Sequence, residues 1–191
     1  MASRAMDSSQ RLLLLAEERG ALQYGSFTLS SGASSSYYFD GRILTLDPEG
    51  SALVGRTFFN KLKAFDVTAI GGLTLGADPI VTAVTLTSYL EHKPITGFIV
   101  RKEAKGHGTN QVIEGFVPKG SEVAIVDDVC TSGGSLFAAI HASEAAGYNV
   151  ALVMVLLDRN QGGSEEIRRL GYSFHSVLKA GADGRVSVLG L

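Results

Sequence analysis

Cysteine is almost missing from this chain of 191 residues. Cys130 is the only one, so neither an intrachain disulfide framework nor a cysteine-based zinc site can be built. Long hydrophobic runs are missing too. The longest early one, Leu12 to Ala16, spans five residues and runs straight into Glu17, Glu18 and Arg19. That is too short and too charged for a signal-peptide core or a membrane span. One face of an amphipathic helix is expected there instead, in a cytoplasmic protein. An excess of either charge is absent: the net charge is −2, which offers no broad footprint for nucleic acid. The chain has no internal repeat and no low-complexity tail. It lacks the Gly-Lys-Ser/Thr ending of a nucleoside-triphosphate loop, and Gly106-His107-Gly108 is not followed by a third glycine at dinucleotide spacing. No Ser-His-Asp hydrolase signature is present. His92, His141 and His175 have no metal-ligand spacing and are expected to be structural or exposed.

What remains is the composition of an ordinary globular enzyme, 45 % apolar and 19 % charged, with a length that suits one domain and a sizeable core. Glycine is plentiful at 23 residues and clusters in loops, marking places where backbone approaches something closely. Residues 7–19 read as a helix, with Asp7 or Ser8 at its start and Gly20 at its end. Residues 22–46 mix short β-like pieces with a Ser-rich turn and resemble an added hood. Asp47-Pro48-Glu49 starts a helix that should reach about Lys63. Strands are then expected at 67–70, 96–100, 122–126, 149–157 and 172–177, and helices at 76–89, 133–146 and 164–170. Strands alternating with helices, and apolar on both faces, predict an α/β fold: a central, mostly parallel sheet flanked by helices. The expected division is a hood over 1–46, a core over 47–178 and a C-terminal segment over 179–191 that adds a short strand returning to the hood, all within one domain. Ligands of such sheets bind beyond the carboxyl ends of the strands, which selects the loops 71–76, 101–112, 127–135 and 158–163.

The strongest constellation is the string Val123 to Ser135. A buried strand delivers Asp127 and Asp128, and the turn Thr131-Ser132-Gly133-Gly134-Ser135 then opens a helix. Backbone N–H groups, hydroxyls and a helix N-terminus suit a phosphate monoester, and the acids stand where the hydroxyls of an attached ribose would lie. Cys130 sits within the string, with no base placed to activate it as a nucleophile. A second constellation, Arg101-Lys102-Glu103-Ala104-Lys105-Gly106-His107-Gly108, packs cations and a titratable His into a polar, glycine-flanked loop that can close over a polyanion. Gly71-Gly72 to Pro79 forms another glycine-rich strand exit. Tyr24 to Gly32 and Ser36-Tyr37-Tyr38-Phe39-Asp40 make up the aromatic hood. Asp158-Arg159 places at a strand exit an Arg that can fork onto a carboxylate.

The string from Val123 to Ser135 resembles the phosphoribosyl pyrophosphate (PRPP) signature of the type I phosphoribosyltransferases, and the loop from Arg101 resembles the lid of the orotate phosphoribosyltransferase family. From about residue 20 to 178 the order of motifs is similar to that family. The resemblance implies that Asp127 and Asp128 hold the ribose 2′- and 3′-hydroxyls and that Val129, Cys130 and Thr131 to Ser135 wrap the 5′-phosphate. It gives Arg101, Lys102, Lys105 and His107 to pyrophosphate. Lys105, His107 and Asp128 are the catalytic candidates, and Tyr38, Phe39, Thr131 and Arg159 the orotate-binding ones. It implies Mg²⁺ carried mainly by the substrate, with no dedicated protein metal site, and a homodimer whose lid, 101–112, reaches the neighbouring subunit. Several members carry Lys where this chain has Leu75, and some where it has Ser30, so ligand contacts are not carried over to those positions. Two rivals remain. One is an enzyme of the same kind for a purine, which would not need Arg159 as a fork. The other is a regulatory protein sensing PRPP, which would need a DNA-binding domain or basic face.

Overall fold

The computed structural model describes residues 7–28, 32, 34–103 and 112–189. Helix α1 (Ser8–Glu18) leads into the antiparallel hairpin of β1 (Leu22–Thr28) and β2 (Ser34–Phe39), followed by the short α2 (Gly41–Thr45) and by α3 (Pro48–Leu62). The Asp47 carboxylate accepts hydrogen bonds from the amides of Glu49 (2.9 Å) and Gly50 (3.0 Å), with Pro48 in the first turn, so α3 starts for the reason its sequence predicts. Asp7 precedes α1, but its side chain makes no capping hydrogen bond.

The remaining elements are β3 (Ala69–Leu73), α4 (Ala77–Leu90), β4 (Thr96–Val100), β5 (Ile113–Glu114), β6 (Glu122–Cys130), α5 (Gly134–Ala145), β7 (Asn149–Asp158), α6 (Gly163–Arg169), β8 (Phe174–Ala180) and β9 (Val186–Val188). They build a seven-stranded sheet in the order β5-β4-β3-β6-β7-β8-β9. The inner strands β4, β3, β6, β7 and β8 are parallel, while β5 and β9 pair antiparallel at the edges. The strand order reverses between β3 and β6: the chain leaves β3 toward β4 and returns on the other side as β6. A crevice opens at such a reversal, at the carboxyl ends of the strands.

Side chains of β6 point alternately to the two faces. Ala124 and Val126 join the core with α1, α3 and α4, around Leu12, Phe58, Phe59 and Val84. Val123 and Ile125 join the core under α5 and α6, around Leu136, Ile140 and Ile167. Both faces are therefore dry, as the continuous apolar strands require.

Three expectations need correction. The strand expected at 67–70 runs instead from Ala69 to Leu73, so Gly71 and Gly72 lie inside it and not at its exit. They are small because the strand is wedged: a Cβ on Gly71 would sit 2.4 Å from the Phe98 ring, and one on Gly72 would sit 2.1 Å from the Val126 carbonyl. The strand expected to stop before the acids continues to Cys130, because β7 pairs with it as far as Cys130↔Asp158. No strand is expected between 100 and 122, yet Ile113–Glu114 forms an edge strand on β4. The short C-terminal strand does return to the hood: the amide of Val186 donates to the Tyr24 hydroxyl at 3.2 Å.

Candidate active site

The crevice at the reversal holds a cleft of about 380 Å³, lined by Tyr38, Phe39, Asp40, Arg42, the loop Leu73 to Gly76, Lys102, Asp127, Asp128, Val129 and Ser135. Asp127 and Asp128 enter on β6. The Asp128 amide donates to Asp127 Oδ1 at 2.9 Å. Two glycines close in on the pair. A Cβ on Gly76 would come within 2.2 Å of Asp127 Oδ1, and one on Gly41 within 2.6 Å of Asp128 Cβ. The acids are thus clamped between the start of α4 and the start of α2. The Thr74–Leu75 peptide that precedes Gly76 is cis.

Burial pushes the Asp127 carboxyl up to about 7, and the neighbouring Asp128 charge adds to the rise. Asp128 is raised as well, again first by burial. Its hydrogen bond with Asp127 and the Arg42 charge pull the other way. Two carboxyls this close keep a proton between them to higher pH than isolated acids do. A carboxyl raised in the folded state adds stability below its unfolded pKa and loses that contribution as pH climbs through the folded one. The Tm of an Asp127→Asn variant is therefore expected to gain on wild type, in the absence of ligand, as pH rises from about 4 to about 7. Thermal melts across that range check it. A constant difference between the two proteins would contradict the assignment.

Beyond the acids the chain makes the turn Thr131-Ser132-Gly133, and α5 begins at Gly134 with Gly133 in the left-handed region at φ +84°. Ser132, Gly134 and Ser135 are exposed there. The loop after β7 laces onto this turn: the Arg159 amide donates to the Cys130 carbonyl at 2.9 Å, and the Gly163 amide to the Thr131 carbonyl at 3.0 Å. Cys130 itself is fully buried in the core under α5. Burial, with Asp158 and Asp127 nearby, pushes its thiol up to about 12, which keeps it protonated near neutral pH and argues against a thiolate nucleophile.

Arg159 reaches across to the hood. Its Nε donates to the Tyr37 hydroxyl at 3.1 Å, and its guanidinium lies over the Tyr37 ring, 4.7 Å from the centroid. Tyr38 stands half-exposed beside Phe27, ring centroids 5.8 Å apart, while the Phe39 side chain is buried. Lys102 lines the cleft. Arg101 is paired with Glu114 at 3.1 Å and lines an adjoining cavity with Thr74 and Glu103. Lys105, His107 and Ser30 lie outside the described residues.

Sequence reasoning gave Asp40 only as the end of the hood segment and missed Arg42. Asp40 caps α2 by accepting from the Arg42 amide (3.0 Å) and also holds Arg42 Nε and Nη2, each at 3.1 Å. The signal was an acid and a base flanking a glycine directly after the aromatic pair. Among the described residues no group of three or more His, Cys, Asp or Glu is placed to hold a metal ion. The Asp127–Asp128 pair suits a hard cation only if most of its oxygens come from a ligand. No helix among the described residues is long and apolar enough to cross a membrane.

A strand that carries two acids into a glycine turn and a helix start, at the reversal of a mostly parallel sheet, is the arrangement of the type I phosphoribosyltransferases. Residues 76–170 match the family model described as the Phosphoribosyl transferase domain. An orotate phosphoribosyltransferase of Nostoc sp. is 48 % identical over 159 residues, which cover 83 % of this chain and 77 % of that protein. Orotate phosphoribosyltransferase of Mycobacterium tuberculosis H37Rv, solved with Fe(III) dicitrate, superposes with a TM-score of 0.78 at 38 % identity, covering 91 % of this chain and 97 % of that one. The same enzyme solved with PRPP gives a TM-score of 0.76 at 36 % identity, with coverages of 91 % and 96 %. The chain belongs to the orotate phosphoribosyltransferase family.

Proposed function

We infer that this chain transfers the 5-phosphoribosyl group from PRPP to orotate, giving orotidine 5′-monophosphate (OMP) and pyrophosphate, the step that makes the pyrimidine nucleotide in UMP biosynthesis. The observation that carries this reading is a cleft lined by an acid pair, by Ser135 at the start of α5, and by Tyr38 and Phe39 of the hood, with Arg159 bonded to the same hood at Tyr37. Asp127 and Asp128 hold the ribose hydroxyls, and the turn from Thr131 to Ser135 wraps the 5′-phosphate with amides and hydroxyls. Val129 and the Cys130 backbone complete that wall. Orotate lies against Tyr38 and Phe39, touches Thr131, and forks its carboxylate onto Arg159. That carboxylate contact favours orotate over a purine. Bond cleavage leaves negative charge on pyrophosphate and positive charge on the sugar. Lys102, Lys105 and His107 neutralise the first, and the acids hold the second in line. Arg101 joins them once the lid closes and its pairing with Glu114 is exchanged for the substrate.

Mg²⁺ fits this donor set as an ion brought in on PRPP. Asp127 and Asp128 would hold it through the sugar hydroxyls, and as a Lewis acid it would offset charge on the diphosphate. The enzyme is read as cytoplasmic and as a single domain, with 1–46 as hood. It works as a homodimer in which the lid, 101–112, serves the partner's site. No nucleic acid or membrane takes part.

Orotate has an ultraviolet absorbance that is lost on conversion. Consumption is expected only when PRPP, Mg²⁺ and enzyme are all present. Consumption that persists without PRPP, or none in the complete mixture, would reject the assignment.

A further inference from the structure

We propose that Tyr37 is a positioning residue that holds Arg159 in the orientation the orotate carboxylate needs; this rests on the reading of Arg159 as the orotate fork. Arg159 sits at the exit of β7, just after Asp158, where a long side chain has many rotamers open to it. Its guanidinium carries five N–H donors in a planar fork, and a carboxylate is gripped best by two parallel ones. The structure uses the Nε donor internally, on the Tyr37 hydroxyl at 3.1 Å, and adds a long contact from Nη2 to Ser35 Oγ at 3.5 Å. The ring of Tyr37 lies against the guanidinium, its centroid 4.7 Å from Cζ. With Nε tied down and the plane fixed, the Nη edge is the part left to present to a ligand.

Tyr37 is suited to this task because it is itself immobile. Its side chain is 4 % exposed and packs in the core beside α1, and its strand pairs in register with β1 at Tyr24↔Tyr37. Burial raises the phenol above its ordinary pKa, with the Arg159 charge acting against the rise. The hydroxyl therefore stays neutral near pH 7 and accepts from Arg159 without forming an ion pair that would compete with a substrate anion. An Arg oriented before binding loses less freedom on binding. Tyr37 thus links the hood to the sheet at the point where base selection is made.

The test uses whole protein and two product nucleotides, OMP and UMP, which differ only in the carboxylate. Equilibrium binding is measured by calorimetry for wild type, Tyr37→Phe, Arg159→Ala and the double variant. Wild type should prefer OMP. Tyr37→Phe keeps the ring in the core and removes only the hydroxyl. It should lose roughly tenfold in OMP affinity, as expected for a hydrogen bond to a charged group, with UMP affinity unchanged. UMP binding also reports that the variant is folded. In the Arg159→Ala background the loss of the hydroxyl should change nothing further. Equal weakening for both nucleotides would make Tyr37 a packing residue and overturn the proposal, as would no change for either. A wild type that does not distinguish OMP from UMP would remove the carboxylate role of Arg159 itself, and this proposal with it.

Discussion

Gly163→Ala is expected to raise the KM for PRPP at least tenfold while moving the KM for orotate less, and to lower Tm by several degrees. A Cβ at this position would lie 2.6 Å from the Gly133 amide nitrogen, 2.6 Å from the Thr131 carbonyl oxygen and 2.7 Å from the Ser132 carbonyl carbon. All three are backbone atoms of the turn Thr131-Ser132-Gly133, proposed above to wrap the 5′-phosphate, so no flexible side chain can yield. The Gly163 amide also donates to the Thr131 carbonyl at 3.0 Å, so the two loops cannot separate without losing that bond. The turn must shift by a large part of an ångström, and its amides would then miss phosphate oxygens they should meet at about 2.9 Å. Overpacking of this kind costs about 1–3 kcal/mol, or roughly 2–4 °C of Tm per kcal/mol in a chain of this size. Steady-state kinetics in each substrate and a thermal melt check it. A variant with unchanged KM for PRPP would show that the turn does not bind the 5′-phosphate.

Lys105→Ala is expected to lower kcat by about a hundredfold or more, the scale on which removing one preorganised charge from a reacting centre acts, with little change in Tm. The argument is one of charge. PRPP loses pyrophosphate as an anion, and Arg101, Lys102 and Lys105 fall with the titratable His107 within seven residues. Of these, Lys102 lines the cleft, and Arg101, paired with Glu114, must exchange that partner to meet a polyanion. If the loop serves the partner's site, a Lys105→Ala subunit still offers an intact acid pair, and an Asp128→Asn subunit still offers an intact loop. Mixing the two inactive proteins should restore up to about a quarter of wild-type activity by random exchange of subunits. Restored activity supports the shared site. None, in a mixture shown to exchange subunits, places the loop over its own acids.

Much of the fold was legible because its signals are local. The strand at Thr96–Val100 and the start of α3 at Asp47-Pro48 emerge where periodicity and capping place them. The boundaries that moved did so for non-local reasons. Asp127 and Asp128 look like a strand end in isolation, but the pairing of β6 with β7 carries the strand through them. Gly71-Gly72 looks like a loop, but Phe98 and Val126 demand that close packing. β5 is two residues long and has no periodicity to detect. At the site, the acid pair and the turn Thr131 to Ser135 are contiguous in sequence and were read together. Arg42 and the Tyr37 hydroxyl act across the fold on partners far along the chain, and no spacing rule links position 37 to position 159.

The cleft draws on β2, α2, the end of β3, the exit of β4 and the acids of β6, with Arg159 beyond β7 bonded to Tyr37 across 122 positions. Contacts so distant in sequence are closed late, because each carries a large loop-closure entropy and needs the sheet already in place. During refolding, secondary structure and burial of the two cores should therefore recover before catalytic activity does. Turnover then cannot return before the hood docks, and a chain lacking only that step would be compact, helical and inactive.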